Sequence, residues 1–261
     1  MASTNTPVGA LRRGHDDLVE VVSGLSPDDL LRTSGSEDWT VAQVLSHLGS
    51  GARIGLATLE AAVNGTEVPD LEFNRSVWAH WDALSPAEQA AEFVTANEDL
   101  TARYEGLDQR TRDELLITFP HFPRPVDVTT AAAMRLSEFA LHSWDARVAV
   151  DPAATIAPEA TGILLDGLGM LVSFAGRADR YDGGLSLVVR TSEPTRTLGL
   201  VVGESVTLEP DAPDAADGDL VTPAEYLVRL VTGRHQPAHT PASVSATGVD
   251  LDDLRKLFPG Y

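Results

Sequence analysis

The sequence predicts an α+β protein, with an N-terminal up-and-down four-helix bundle over residues 1–152 and a small C-terminal α/β domain over 153–261. Three observations carry this reading. The 261 residues exceed the ~100 to 200 of a typical domain. Before Pro152, apolar residues recur at helical spacing between recognisable helix starts. Beyond it, short alternating segments rich in β-branched residues take over.

In the first half, Leu11, Leu18, Val21, Val22 and Leu25 form one helical stripe. Ser26-Pro27 opens a short turn, with serine as cap and proline at the first helical position. Thr40 and Gln43 form a capping box before Val41, Val44, Leu45 and Leu48. Ser85-Pro86 with Glu88 repeats the device for a helix to about residue 104, and a last helix is expected over about 129–150. In the second half a helix is expected over about 158–178, then a meander of strands at 185–190, 196–202 and 205–209. An acidic loop over 211–219 precedes a capped start at Thr222-Pro223-Ala224-Glu225, for a helix to about 232 that Gly233 ends. A strand near Val244 and a helix over 251–258 complete the unit.

Composition removes several kinds of chemistry. A formal charge of −20 repels phosphate backbones and anionic membrane surfaces, so neither nucleic acid nor membrane is expected as a partner. Residues 1–17 lack the apolar stretch of ~7 to 15 residues that a secretory signal needs, and a cytoplasmic location is expected. The absence of cysteine excludes thiolate metal sites and a cysteine nucleophile, so any thiol chemistry needs an external thiol. Lysine occurs once, at Lys256, outside any phosphate-loop context. Gly167-Leu-Gly169 begins like a dinucleotide fingerprint, but Val172 stands where the third glycine should be.

A cysteine-free metal site must be built from imidazole and carboxylate. Of seven histidines, His15, His80 and His121 have no evident ligand context. His235 and His239 are four apart, but Pro237 interrupts them and Gly233 precedes them. Glu138 and His142 are also four apart, in an unbroken helix, and so project from one face about one turn apart. Spacing alone is weak, because seven His and sixteen Glu yield roughly 0.4 such pair by chance, and a surface pair would look the same. His47 borders the apolar stripe of another helix, followed by Gly49 and Gly51, which permit close helix approach. It reads either as a core histidine or, in a bundle whose metal sites form between facing helices, as a third ligand.

The segment from Asp38 to Leu48, led by Trp39 and containing His47, resembles the tryptophan-led helix of the mycothiol-dependent maleylpyruvate isomerases, within the broader DinB-like metal-binding bundles. Glu138 to Asp145 is similar to that family's Glu-x3-His helix, and Tyr226 to Arg234 looks like the start of its small domain's helix and Gly-Arg turn. The resemblance covers nearly the whole chain, with the C-terminal half also resembling sterol-carrier-like α/β units. It implies zinc or another divalent ion on His47, Glu138 and His142, leaving a position open as in catalytic zinc sites. It further implies mycothiol or a similar thiol as cosubstrate. In the isomerase that the chain resembles, the metal-bound thiolate adds to the conjugated cis double bond of maleylpyruvate, rotation follows, and elimination gives the trans isomer.

Two residues are added as candidate catalytic groups. Asp145 is placed to accept an imidazole N–H from His142, although a helix carboxylate beside Arg147 is an equal reading. Arg234, at the end of the Thr-Gly-Arg turn, is the candidate for a substrate carboxylate, with Arg229 next. The leading expectation is therefore a metal-dependent thiol transferase or isomerase. A metal-dependent hydrolase and a non-catalytic ligand-binding module are the alternatives.

Overall fold

Local capping sets the start of each long helix in the computed structural model, which describes residues 6–36, 38–120 and 122–260. Helix α1 (Pro7–Ser23) starts at Thr6, whose hydroxyl accepts from Gly9 N. The short α2 (Pro27–Leu30) and the long α3 (Val41–Asn64) both open with complete capping boxes, Ser26 with Asp29 and Thr40 with Gln43. Helix α4 (Leu71–Asp82) is capped by Asp70, and α5 (Pro86–Glu105) by the Ser85–Glu88 box. A one-and-a-half-turn α6 (Gln109–Glu114) leads to a two-residue antiparallel pair, β1 (Leu116–Ile117) with β2 (Val126–Asp127). Asp127 then caps α7 (Val128–Val148).

These elements belong to the first of two compact units, Met1–Ala154 and Thr155–Tyr261. In it α7 packs against α1 and α3, and α5 packs against the same two, so the four long helices close a ring. Leu11 and Leu18 of α1, Val44, Leu45 and Leu48 of α3, Phe93 of α5 and Phe139 of α7 fill the centre at no more than 1% exposure. Each such side chain contributes roughly 1.5 to 3 kcal/mol of burial. His15 belongs to this core as well: its Nδ1 accepts from Asn97 Nδ2 at 2.9 Å, and its Nε2 lies 3.1 Å from Glu98. Burial lowers its pKa against the pull of Glu98. The close approach that Gly49 permits is to Trp81 of α4, since an added Cβ would stand 2.1 Å from that ring.

Helix α4 is absent from the sequence reading. Phe73, Val77 and Trp81 recur in it at helical spacing behind the Asp70 cap, but Trp81 is its one buried residue, while Leu71, Phe73 and Trp78 are exposed.

In the second unit the single helix expected over 158–178 is two, α8 (Pro158–Asp166) and α9 (Leu168–Ala175). Gly167, at φ −94° and ψ 0°, leaves the helical path between them. Strands β3 (Leu185–Ser192), β4 (Arg196–Val202) and β5 (Val206–Glu209) form the expected antiparallel meander. The acidic loop is shorter than expected, because β6 (Gly218–Pro223) pairs in parallel with β3, Leu220 opposite Val189. Thr222 therefore lies in a strand and does not cap α10 (Ala224–Val231), which starts without a side-chain cap. All eight residues of α10 are buried. Strand β7 (Ser245–Thr247) pairs with β6 to give the order β5-β4-β3-β6-β7, and α11 (Leu251–Leu257) follows. No helix among the described residues is long and apolar enough to cross a membrane.

Candidate metal centre

Because α3 and α7 pack side by side, His47 of α3 meets Glu138 and His142 of α7. One ligand atom from each lies within 4.8 Å of the others. His47 Nε2 is 2.6 Å from Glu138 Oε1, and His142 Nε2 is 3.4 Å from the same oxygen. The two imidazole rings meet edge to face at 4.5 Å between centroids.

Asp145 decides which nitrogen of His142 faces the cluster. Its carboxylate is buried and lies 2.9 Å from His142 Nδ1, which donates to it. With Nδ1 carrying the proton, Nε2 of a neutral His142 presents a lone pair toward the Glu138 carboxylate. Two acceptors facing each other at 3.4 Å call for a cation between them, either a proton or a metal ion. Burial pushes the Glu138 carboxyl upward, but hydrogen bonds with His142 and His47 outweigh it and hold the group well below the usual carboxylate range. Glu138 is therefore an anion at neutral pH, as a metal ligand must be.

The donor chemistry fits a divalent ion. Two nitrogens and one carboxylate oxygen suit zinc, and ligands of one tetrahedral ion at ~2.1 Å lie about 3.4 Å apart. His142 and Glu138 already have that spacing, whereas His47 and Glu138, at 2.6 Å, would open by less than 1 Å. Trp39 covers one side of the pair, its ring centroid 5.0 Å from His47 and 5.8 Å from His142. It is held there by a loop tied at Thr33 and Thr40, with Trp39 O accepting from Ser34 N at 2.9 Å.

Two cavities border the cluster. One, of about 510 Å3, is lined by His47, Gln43 and Gln89 among others; a second, of about 430 Å3, reaches Glu138. Trp78 of α4 contributes to both. The place of Trp78 in this lining was not read from the sequence, since cavity walls leave no spacing signal.

No other described histidine belongs to that donor group. His80 contacts Glu92 at 3.0 Å on the surface, and His235 Nε2 donates to Phe258 O at 2.7 Å. His239 lies in a separate turn, Pro237–His239, and His121 lies outside the described residues.

Arg234 and Arg229 belong to the second unit. Gly233, at φ 82°, turns the chain out of α10, and an added Cβ there would stand 2.5 Å from Gly260 Cα. Arg234 follows it half-buried, with its N–H donating to Arg229 O at 2.8 Å and its Nη1 to Thr232 O at 3.3 Å. Arg229 lies in the interior of its unit. It is buried, its Nε and Nη2 donate to Glu225 at 2.7 and 2.8 Å, and its Nη1 donates to His239 O at 3.1 Å. That fork is already occupied by a carboxylate.

Fold and site together define a class: a helical bundle that presents a His–Glu–His donor set, joined in one chain to a mixed-sheet α/β unit. The chain belongs to the mycothiol maleylpyruvate isomerase family, whose N-terminal domain model matches residues 11–147. Its fold is similar to the crystal structure of a mycothiol-dependent maleylpyruvate isomerase at 18% identity and TM-score 0.65, over 94% of this chain and 93% of that one. A histidine-to-alanine mutant of a mycothiol-dependent maleylpyruvate isomerase gives 16% identity and TM-score 0.66 over the same shares. No curated protein matches the chain by sequence.

Proposed function

We propose that this chain is a metal-dependent isomerase that uses mycothiol or a similar thiol to convert a small anionic cis-unsaturated substrate, of the maleylpyruvate kind, to its trans isomer. The observation that carries the reading is the convergence of His47, Glu138 and His142, with Asp145 fixing the donor nitrogen of His142. A divalent ion, most suitably zinc, would supply the positive charge that lowers the pKa of a bound thiol.

The chain's own residues do the rest. His47, Glu138 and His142 would hold the ion through two imidazole nitrogens and one carboxylate oxygen. Asp145 keeps His142 from rotating or changing tautomer. Trp39 shields the imidazoles on one side. With no cysteine in the sequence, the nucleophilic sulfur comes from the cosubstrate. It adds to the cis double bond, the former double bond turns as a single bond, and elimination returns the thiol unchanged.

Arg234 is the proposed contact for a substrate carboxylate. Arg234→Ala is expected to leave metal content unchanged and to lower kcat/KM by roughly 10- to 100-fold, the worth of a charge-assisted hydrogen bond. Arg234→Lys is expected to restore only part, because an ammonium lacks the fork.

The direct test is isomerisation of maleylpyruvate by the zinc-loaded protein, with and without mycothiol. Turnover that requires the thiol is expected. Turnover at the same rate without it, or hydrolysis of the substrate, would overturn the reading.

A further inference from the structure

The cavity that reaches Glu138 holds polar groups that the metal donor set does not use. Its walls are mostly apolar, and Arg135 is the one cation among its lining residues. Arg135 stands three residues before Glu138 on α7, so the two share a helix face. Its Nη2 donates to Leu48 O at 2.8 Å and to Asn97 Oδ1 at 2.9 Å. Asn97 is itself fixed by His15, so the guanidinium is held from behind by a buried chain of hydrogen bonds.

The other nitrogens are not satisfied by the protein. Nε is buried with no hydrogen-bond partner, and Nη1 makes no hydrogen bond to a described residue. Nη1 lies beside Gly51, another lining residue, where an added Cβ would stand 3.1 Å away. No described carboxylate lies within ion-pair distance of Arg135; the one on the wall, Glu138, acts on it at longer range and is engaged by both imidazoles. A second lining residue, Asn74, also has a buried oxygen without a partner.

A cation with unmet donors in an apolar cavity is costly unless an anion arrives. Burial lowers the Arg135 pKa to about 10, which leaves it charged at neutral pH. Among anions, a carboxylate matches a guanidinium in both charge and plane.

We propose that Arg135 binds the carboxylate of a small organic acid seated in the cavity beside Glu138, with the acid's carbon skeleton against the apolar wall. Naming that acid as the substrate rests on the isomerase reading above, whereas the anion site does not.

The test is calorimetric titration of the full chain with benzoate and with its neutral analogue benzamide, in zinc-loaded and chelator-treated protein. Benzoate is expected to bind both forms, Arg135→Met to weaken it at least tenfold, and benzamide to bind weakly with no difference between wild type and variant. Zinc content of Arg135→Met is expected to equal that of wild type. Equal benzoate affinity in wild type and Arg135→Met, benzamide binding as tight as benzoate, or no benzoate binding to wild type would each overturn the proposal. If Arg135→Met does not fold, Ile54→Trp fills the cavity from its wall and keeps Arg135. Loss of benzoate binding in that variant is expected, and an unchanged affinity would overturn the proposal. Arg135-dependent benzoate binding by a protein that takes up no metal even when zinc is supplied would uphold the anion site while rejecting the metal reading.

Discussion

Asp145 shows how one buried side chain sets the chemistry of another. Its contact with His142 Nδ1 leaves Nε2 as the only nitrogen that can face Glu138. Asp145→Asn weakens that acceptor and allows the amide to turn its NH2 toward the ring. The variant is expected to bind zinc roughly 10- to 100-fold more weakly, the usual cost of losing such a partner. Competition with a chromogenic chelator measures this, and wild-type affinity would show that the ring orientation is held by packing instead. At this scale the sequence is informative where chemistry follows spacing. Glu138 and His142 share a face because they are four apart, and Asp145 reaches back because it is three further on. The orientation of Trp39 and the unmet donors of Arg135 depend on contacts across the bundle, which spacing does not encode.

Among the elements, most that begin with a local signal were legible, with α4 and its Asp70 cap the exception, and the strand defined by a distant partner was not. The Thr40–Gln43 and Ser85–Glu88 boxes are read from four residues each and both form, and Ser26 with Pro27 opens α2 as expected, with Asp29 completing a box there that the sequence reading did not include. Helix α4 goes unread although Phe73, Val77 and Trp81 follow its Asp70 cap at helical spacing, and β6 hides because its strand character comes from parallel pairing with β3, some 30 residues earlier. The α1–α5 interface carries its own prediction through His15. Burial lowers the His15 pKa, so the unfolded chain binds that proton more readily than the folded one. Its contribution to stability is thus present above the ordinary imidazole value of ~6.5 and is lost as pH falls below it. Urea unfolding between pH 8 and pH 5 is expected to show a smaller loss of stability in His15→Gln than in wild type. Identical pH profiles would remove His15 from the account.

For the whole molecule, the division near residue 152 follows from the change of periodicity, and the structure separates its units at Ala154 and Thr155. Net charge has a consequence at the same scale. A protein with a formal charge of −20 repels an anionic substrate at long range. Raising ionic strength from 0.01 to 0.15 M shortens the screening length from ~30 to ~8 Å. The kcat/KM for a carboxylate substrate is therefore expected to rise with salt over this range, at constant pH. A fall would mean that local cations such as Arg135 and Arg234 dominate the approach.

The central claim, that His47, Glu138 and His142 together hold one divalent ion, is tested most directly by metal content. Elemental analysis of the purified full chain is expected to give about one equivalent of zinc or another divalent metal per chain. His47→Ala, Glu138→Ala and His142→Ala are each expected to lower it sharply while circular dichroism reports an intact fold. Wild-type metal content in all three variants, or no bound metal in a zinc-supplemented wild-type protein, would contradict the account.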